Sequence, residues 1–150
     1  MKRLSFREIF PRQDRDSIVA AIAAAEAHTS GEIRVYVERT TDHADVMERA
    51  RDAFKKLKMD QTFRRNGVLF YVAVEDRKCA ILGDRGIHEK VGGGFWEQEL
   101  EVLKKYFREQ RFSEGLKEAI LLAGEQLAAY FPPEEGDVNE LDDDIYFEEN

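Results

Sequence analysis

Gly67-Val68-Leu69-Phe70-Tyr71-Val72-Ala73-Val74, then Glu75-Asp76-Arg77-Lys78 and Cys79-Ala80-Ile81-Leu82, is the stretch on which the fold turns. The first arm is nearly all apolar, as expected of a strand covered on both faces. The polar interruption leaves little room for anything but a turn, and Asp readily bonds its own local backbone there. A two-residue turn at Asp76-Arg77 therefore makes a β-hairpin. In that register Glu75 pairs with Lys78, Val74 with Cys79, Leu69 with Asp84 and Gly67 with Gly86. Gly83-Asp84-Arg85-Gly86 ends the second arm.

Upstream, Glu32-Ile33-Arg34-Val35-Tyr36-Val37-Glu38 alternates strictly, which places Ile33, Val35 and Val37 on one face of an earlier strand. A helix fits residues 44–59 between the two strands. Val46, Ala50, Ala53, Phe54 and Leu57 follow its period, Glu48, Arg49, Arg51, Lys55 and Lys56 face outward, and Asp42 is a suitable N-cap. An earlier helix covers about 14–28, with Ile18, Ile22 and Ala25 on one face, and Thr29-Ser30-Gly31 ends it. Downstream, Trp96, Leu100, Leu103 and Phe107 form one helical stripe. Leu116, Ile120, Ala123 and Leu127 form another, with Ser113 as its cap and Pro132-Pro133 as its stop. The order is α-β-α-β-β-α-α, an α/β fold. The β-α-β unit is a right-handed crossover with parallel strands, and the hairpin adds an antiparallel one. Helices before, between and after the strands suffice to cover both sheet faces.

The length suits one domain. Net charge is -8, but the acids are unevenly placed. Residues 134–150 carry nine of the 31 acids and no Lys or Arg, which leaves 22 acids against 23 bases in the body. The chain therefore divides into a domain at 1–133 and an acidic, disordered tail at 134–150. A nearly neutral body offers no broad basic footprint for nucleic acid. No run approaches the ~18 apolar residues that span a bilayer, and nothing near the N-terminus reads as a signal peptide. The expectation is a cytoplasmic, soluble monomer without membrane contact. Cys79 is the only cysteine and sits in an apolar strand, where it reads as a small core residue.

Thr29-Ser30-Gly31-Glu32-Ile33-Arg34-Val35, Asn66-Gly67-Val68-Leu69-Phe70-Tyr71-Val72-Ala73-Val74-Glu75-Asp76-Arg77 and Gly83-Asp84-Arg85-Gly86-Ile87 together resemble the TPM-domain family. The resemblance spans roughly residues 12–133. Asn139-Glu140-Leu141, with Asp142 and Ile145, looks like the soluble single-domain bacterial branch. It implies a three-layer α/β/α sandwich around a small mixed sheet. It also implies calcium or magnesium binding, acid phosphatase activity having been assigned to some members. The membrane and photosynthetic roles of other members do not transfer, because this chain shows none of their anchors or Gly-rich tails.

The hairpin register places Asn66 and Asp84 at one end of the sheet, and the parallel first strand brings Glu32 to the same end. Glu32, Asn66 and Asp84 form a candidate divalent-cation site, with Asp60 nearby and Arg85 and His88 on the departing loop as substrate-binding candidates. Carboxylates and an amide are the hard oxygen ligands that calcium and magnesium prefer. The alternative reading is that they are solvated strand ends, with Asp84 capping its own turn. The opposite end, around Asp76, Glu75 and Glu38, is a second candidate, and Asp76 is kept as a metal ligand.

His88-Glu89 lacks the second histidine of a zinc protease motif, and Gly92-Gly93-Gly94 lacks the Lys-Ser/Thr of a phosphate loop. The glycines read as a flexible helix entry near the Asp84 end. No nucleophile and base pair can be assigned, so no catalytic residue is named. Three functions remain, ranked in this order: an ion-binding accessory or interaction domain, a weak metal-dependent phosphatase, and an ion-free module that binds a protein partner. Leu141, Ile145, Tyr146 and Phe147, interleaved with acids, offer a pattern that docks on a partner or folds back over the domain, but nine acids among seventeen residues favour a solvated tail.

Overall fold

The computed structural model describes residues 4–134 and 144–148. Strand β2 (Gly67–Ala73) is the centre of the molecule, and all seven of its residues are buried. It lies between β1 (Glu32–Glu38), to which it is parallel, and β3 (Lys78–Gly83), to which it is antiparallel. A fourth strand, β4 (Ile145–Glu148), pairs parallel with the other side of β1, so the described sheet has the order β3-β2-β1-β4.

Alternation along the strands sorts the core into two layers. Ile33, Val35, Val37, Val68, Phe70 and Val72 pack beneath α2 (Arg12–Glu26), α5 (Glu97–Arg108) and α6 (Phe112–Ala128). Tyr36, Leu69, Tyr71, Ala73 and Ala80 pack on the other face against Ala50, Ala53 and Phe54 of α3 (Val46–Lys56), with Met59 behind them. This is the expected α/β/α sandwich.

The small residues of α2 and α6 have a packing reason. A Cβ at Gly124 would lie 2.7 Å from both Cα and Cβ of Ala25. The two helices therefore approach along Ala21, Ala25, Ala119 and Ala123, all buried. A short helix α1 (Phe6–Ile9) precedes α2 and is closed by a capping box between Ser5 and Glu8.

Several local expectations change. The hairpin pairs Leu69 with Leu82 and Val72 with Cys79, two residues away from the expected register. Val74 N and Glu75 N donate to Glu38 O and Arg39 O, so the end of the apolar run stays with β1. Arg77, at φ 52, lies in the four-residue connection that results, which Arg77 N closes by donating to Val74 O (3.3 Å). A two-residue slip keeps every side chain on its face, which is why the core assignment survives.

The segment after Asp84 is a helix, α4 (Arg85–Val91), rather than a loop. Gly93–Trp96 forms a 3-10 turn leading into α5. Helix α3 starts at Val46 after Asp45, because Asp42 and His43 adopt left-handed backbone angles. Ser113 lies inside α6, and its hydroxyl donates to Asp14 Oδ2 (3.1 Å).

The reading of 134–150 as a solvated tail is corrected at residues 145–148, where the apolar side chains find partners. Phe147 packs on Phe6 and Phe10 (ring centroids 5.3 and 5.6 Å), and Tyr146 stacks on Tyr36 (5.0 Å). Lys56 Nζ donates to Glu148 Oε1 (2.7 Å). The acids and Leu141 within 135–143, including the Asn139-Glu140-Leu141-Asp142 signature, lie outside the described residues.

Candidate functional site

Strand register brings Glu32, Asn66 and Asp84 to one end of the sheet. Glu32 lies beside Gly67, its N–H donates to Asn66 O (3.0 Å), and Asp84 N donates to Gly67 O (2.8 Å). All three side chains are buried. Their polar atoms, however, already have protein partners. Asp84 caps α4 by accepting from Arg85 N (2.7 Å). It also receives the Arg65 guanidinium in a fork, Nε to Oδ2 and Nη2 to Oδ1, both 2.7 Å. Asn66 Nδ2 donates to Ser30 O (2.5 Å), and Glu32 is engaged as well. Arg85, His88 and Asp60 are exposed around this end. The Asp84 charge is balanced by a two-pronged ion pair, so an ion would have to displace a guanidinium. The arrangement suits a helix cap and a tie between loop and strand.

The opposite end is built differently. After β1 the chain passes through Thr40, Thr41, Asp42 and His43, with φ of 53 and 65 at the last two. Thr40 Oγ1 accepts from Asp42 N (3.1 Å), which holds this bend. The hairpin connection places Asp76 against it: Asp76 Oδ2 accepts from Thr41 N (2.7 Å) and Thr41 Oγ1 (3.2 Å). Thr40, Thr41, Asp42, His43, Asp76 and Lys78 line an open pocket of about 270 Å³. It lies at the carboxyl ends of two parallel strands, where open α/β sheets generally bind ligands. Asp42 and His43 are exposed, and Asp76 Oδ1 makes no hydrogen bond among the described residues. No group of three or more His, Cys, Asp or Glu able to hold a metal is present among the described residues. An ion here would draw on two carboxylates together with hydroxyl, carbonyl and water oxygens.

A buried network stands beneath this end. Glu38 is fully buried and takes the Arg49 guanidinium on both oxygens, Nε to Oε2 at 2.9 Å and Nη2 to Oε1 at 2.5 Å. The Tyr71 hydroxyl donates to the same carboxylate. Burial, then the hydrogen bond to Glu38, push the Tyr71 phenol upward; Tyr36 is pushed up to about 12, chiefly by burial and next by Glu148. Beside it, Arg39 is buried, with Nη1 donating to Leu4 O (2.8 Å) and Glu75 Oε2 (3.2 Å) and the guanidinium over the Phe6 ring. These contacts fix the start of the bend and the hairpin shoulder.

The model of the TPM domain matches residues 5–126. The chain belongs to the TPM-domain family. This TPM domain is also similar to the BA42 protein of the psychrophilic bacterium Bizionia argentinensis. The two are 42% identical with a TM-score of 0.88, over 96% of this chain and 99% of that one. An N-terminal domain from P. gingivalis shares the fold at 14% identity and a TM-score of 0.70, over 82% of this chain and 79% of that one. The N-terminal domain of cg2496 from Corynebacterium glutamicum has 19% identity and a TM-score of 0.51, over 85% and 77%. No curated protein matches the chain. No helix among the described residues is long and apolar enough to cross a membrane.

Within the TPM domain, strand geometry thus assembles Glu32, Asn66 and Asp84 and holds them with protein partners, while Asp76 lies in an open pocket. The periodicity reading missed two features. Arg49, read as outward-facing, bonds Glu38, and Arg65 forks onto Asp84. A signal for the first was present: Glu32, Arg34, Tyr36 and Glu38 place polar groups on one whole face of a strand whose neighbour is wholly apolar.

Proposed function

We propose that this TPM domain binds a divalent cation, calcium or magnesium, in the pocket formed by residues 40–43 and Asp76, and acts as an ion-binding accessory domain. One observation carries the reading: two carboxylates and two hydroxyls gather in an open pocket at the carboxyl ends of β1 and β2. These are hard oxygen donors of the kind both ions select. Magnesium in particular is commonly held by one or two carboxylates with the remaining positions filled by water. Asp76 is fixed by Thr41 through Oδ2, which leaves Oδ1 as the ligand atom.

A second reading, metal-assisted handling of a phosphate ester, is favoured by Lys78 in the same lining. A cation beside two carboxylates suits a phosphate that meets both a bound ion and an ammonium group; the ion would polarise a phosphoryl oxygen. Titration calorimetry with calcium and magnesium tests the first reading. Asp76→Asn preserves an acceptor for Thr41 but removes the charge, and is expected to weaken binding about tenfold or more. Asp84→Asn is expected to leave it unchanged; the reverse pattern would move the site to the other end. Hydrolysis of p-nitrophenyl phosphate that disappears in Asp76→Asn would support the second reading, and turnover indifferent to it would remove it.

A further inference from the structure

We propose that the edge of β1 facing β4 is an acceptor site for an extended segment of a partner protein, and that β4 is the chain's own removable occupant of it. The segment runs parallel to β1 and carries an aliphatic residue, two aromatics and an acid in succession, as Ile145, Tyr146, Phe147 and Glu148 do. Alternation sends Ile145 and Phe147 to the face covered by α2, and Tyr146 and Glu148 to the face covered by α3. The seat that meets these side chains is held from behind by the body of the domain. Phe6, which packs on Phe147, lies under the Arg39 guanidinium (4.5 Å), itself bonded to Leu4 O. Phe10, the second ring against Phe147, leans on Phe112 (6.3 Å), and Tyr36, which carries Tyr146, stacks on Tyr71 (6.0 Å). None of these supports belongs to β4. A seat that β4 vacates therefore keeps its shape, and a preformed seat binds at less ordering cost.

The occupant is held more lightly than its seat. Strand β4 has four residues and, among the described residues, pairs along one edge only. Ile145 is its one buried residue; Tyr146, Phe147 and Glu148 are half-buried. Its ion pair, Lys56 with Glu148, joins side chains 47% and 27% exposed, a setting in which such pairs add little. Two further bonds, Asp144 Oδ1 from Ile145 N and Glu148 Oε2 from the Tyr146 hydroxyl, are internal to the segment and travel with it. The strand is tied to the end of α6 through residues 129–144, and a tether returns it to the seat at an effective concentration on the order of millimolar. A partner segment whose concentration relative to its dissociation constant exceeds that of the tethered strand displaces it. Elements with few buried contacts open locally at a free energy well below that of global unfolding. The main-chain groups of residues 35–38 that pair with β4 then become available to an added strand.

The test titrates the ¹⁵N-labelled full chain, as wild type, Glu148→Gln and Phe147→Ala, with acetylated, amidated peptides. One has the sequence of residues 144–148. A second keeps the pattern with valine, phenylalanine and tyrosine at the central positions, and a control has alanine at both aromatic positions. Both substitutions loosen β4 and leave the seat intact. Apparent affinity follows the fraction of seats that are open. The proposal therefore expects both patterned peptides to shift the amides of Phe6 and residues 35–38, with affinity rising from wild type through Glu148→Gln to Phe147→Ala by about tenfold or more overall. In wild type without peptide, the β1 amides that pair with β4 should exchange far faster than those that pair with β2. Equally slow exchange of the two sets, no binding to Phe147→Ala, equal affinity in wild type and Phe147→Ala, or equal binding of the alanine control each overturn it. Binding of the 144–148 sequence alone, or dimers of the full chain formed by strand exchange, would also overturn it in favour of a seat reserved for this chain's own strand.

Discussion

Glu99 lies on α5 with no exposed surface, facing Gln126 of α6. With the amide turned so that its nitrogen faces the carboxyl, Gln126 donates to Glu99 Oε2 at 2.9 Å. Burial pushes the Glu99 carboxyl from 4.5 up to about 7. The folded protein therefore retains a proton that the unfolded chain has released, and the sign follows. The contribution is complete below the ordinary carboxylate pKa and is lost as pH rises through about 7. Each tenfold difference in proton affinity is about 1.4 kcal/mol, so wild type should lose about 2.5 kcal/mol from this group between pH 5 and pH 9. Glu99→Gln keeps the shape and cannot ionise. Urea denaturation of both proteins at pH 5, 6, 7, 8 and 9 isolates the effect, because other titrating groups cancel in the difference. The variant should gain on wild type mainly between pH 5 and pH 7, and the difference should level off above about pH 8. Parallel stability curves for the two proteins across this range would refute the reasoning.

Three further outcomes follow from the packing. Gly124→Val forces β-carbon bulk against Ala25, and should cost about 1–3 kcal/mol in thermal or urea melts. Arg65→Gln leaves the buried Asp84 carboxylate without its fork. It should cost about 1–3 kcal/mol, and amide exchange should quicken first in α4 and at the end of β3. Phe147→Ala removes the ring that packs on Phe6, Phe10 and Arg15, and should cost about 1–3 kcal/mol while exposing the amides of β1 that pair with β4. Unchanged exchange in β1 would show that β4 is not held by this ring.

The fold was legible where burial writes itself into sequence period. Val68, Phe70 and Val72 announce a doubly covered strand, and Ile33, Val35 and Val37 its parallel neighbour. The hairpin slip was hidden because periodicity fixes faces, whereas the position of a turn depends on which strand claims Val74 and Glu75. Strand β4 was hidden because acids dominate its surroundings, while its stability comes from distant partners such as Phe6 and Tyr36. At the site, topology gathered Glu32, Asn66 and Asp84 as expected, and Asp76 was named. Arg65 and Arg49 escaped notice because a long cationic side chain on a polar stretch reads as solvated until its partner is known. The left-handed bend at Asp42 and His43, which shapes the pocket, has no glycine to mark it.

The central claim is that ion binding resides at the Asp76 end of the sheet. Residue-by-residue NMR titration of the full chain with calcium and magnesium tests it most directly. The account predicts saturable amide shifts at residues 40–43 and 76–78 that vanish in Asp76→Asn. Shifts centred on Glu32, Asn66 and Asp84, or no saturable shift with either ion, would contradict it.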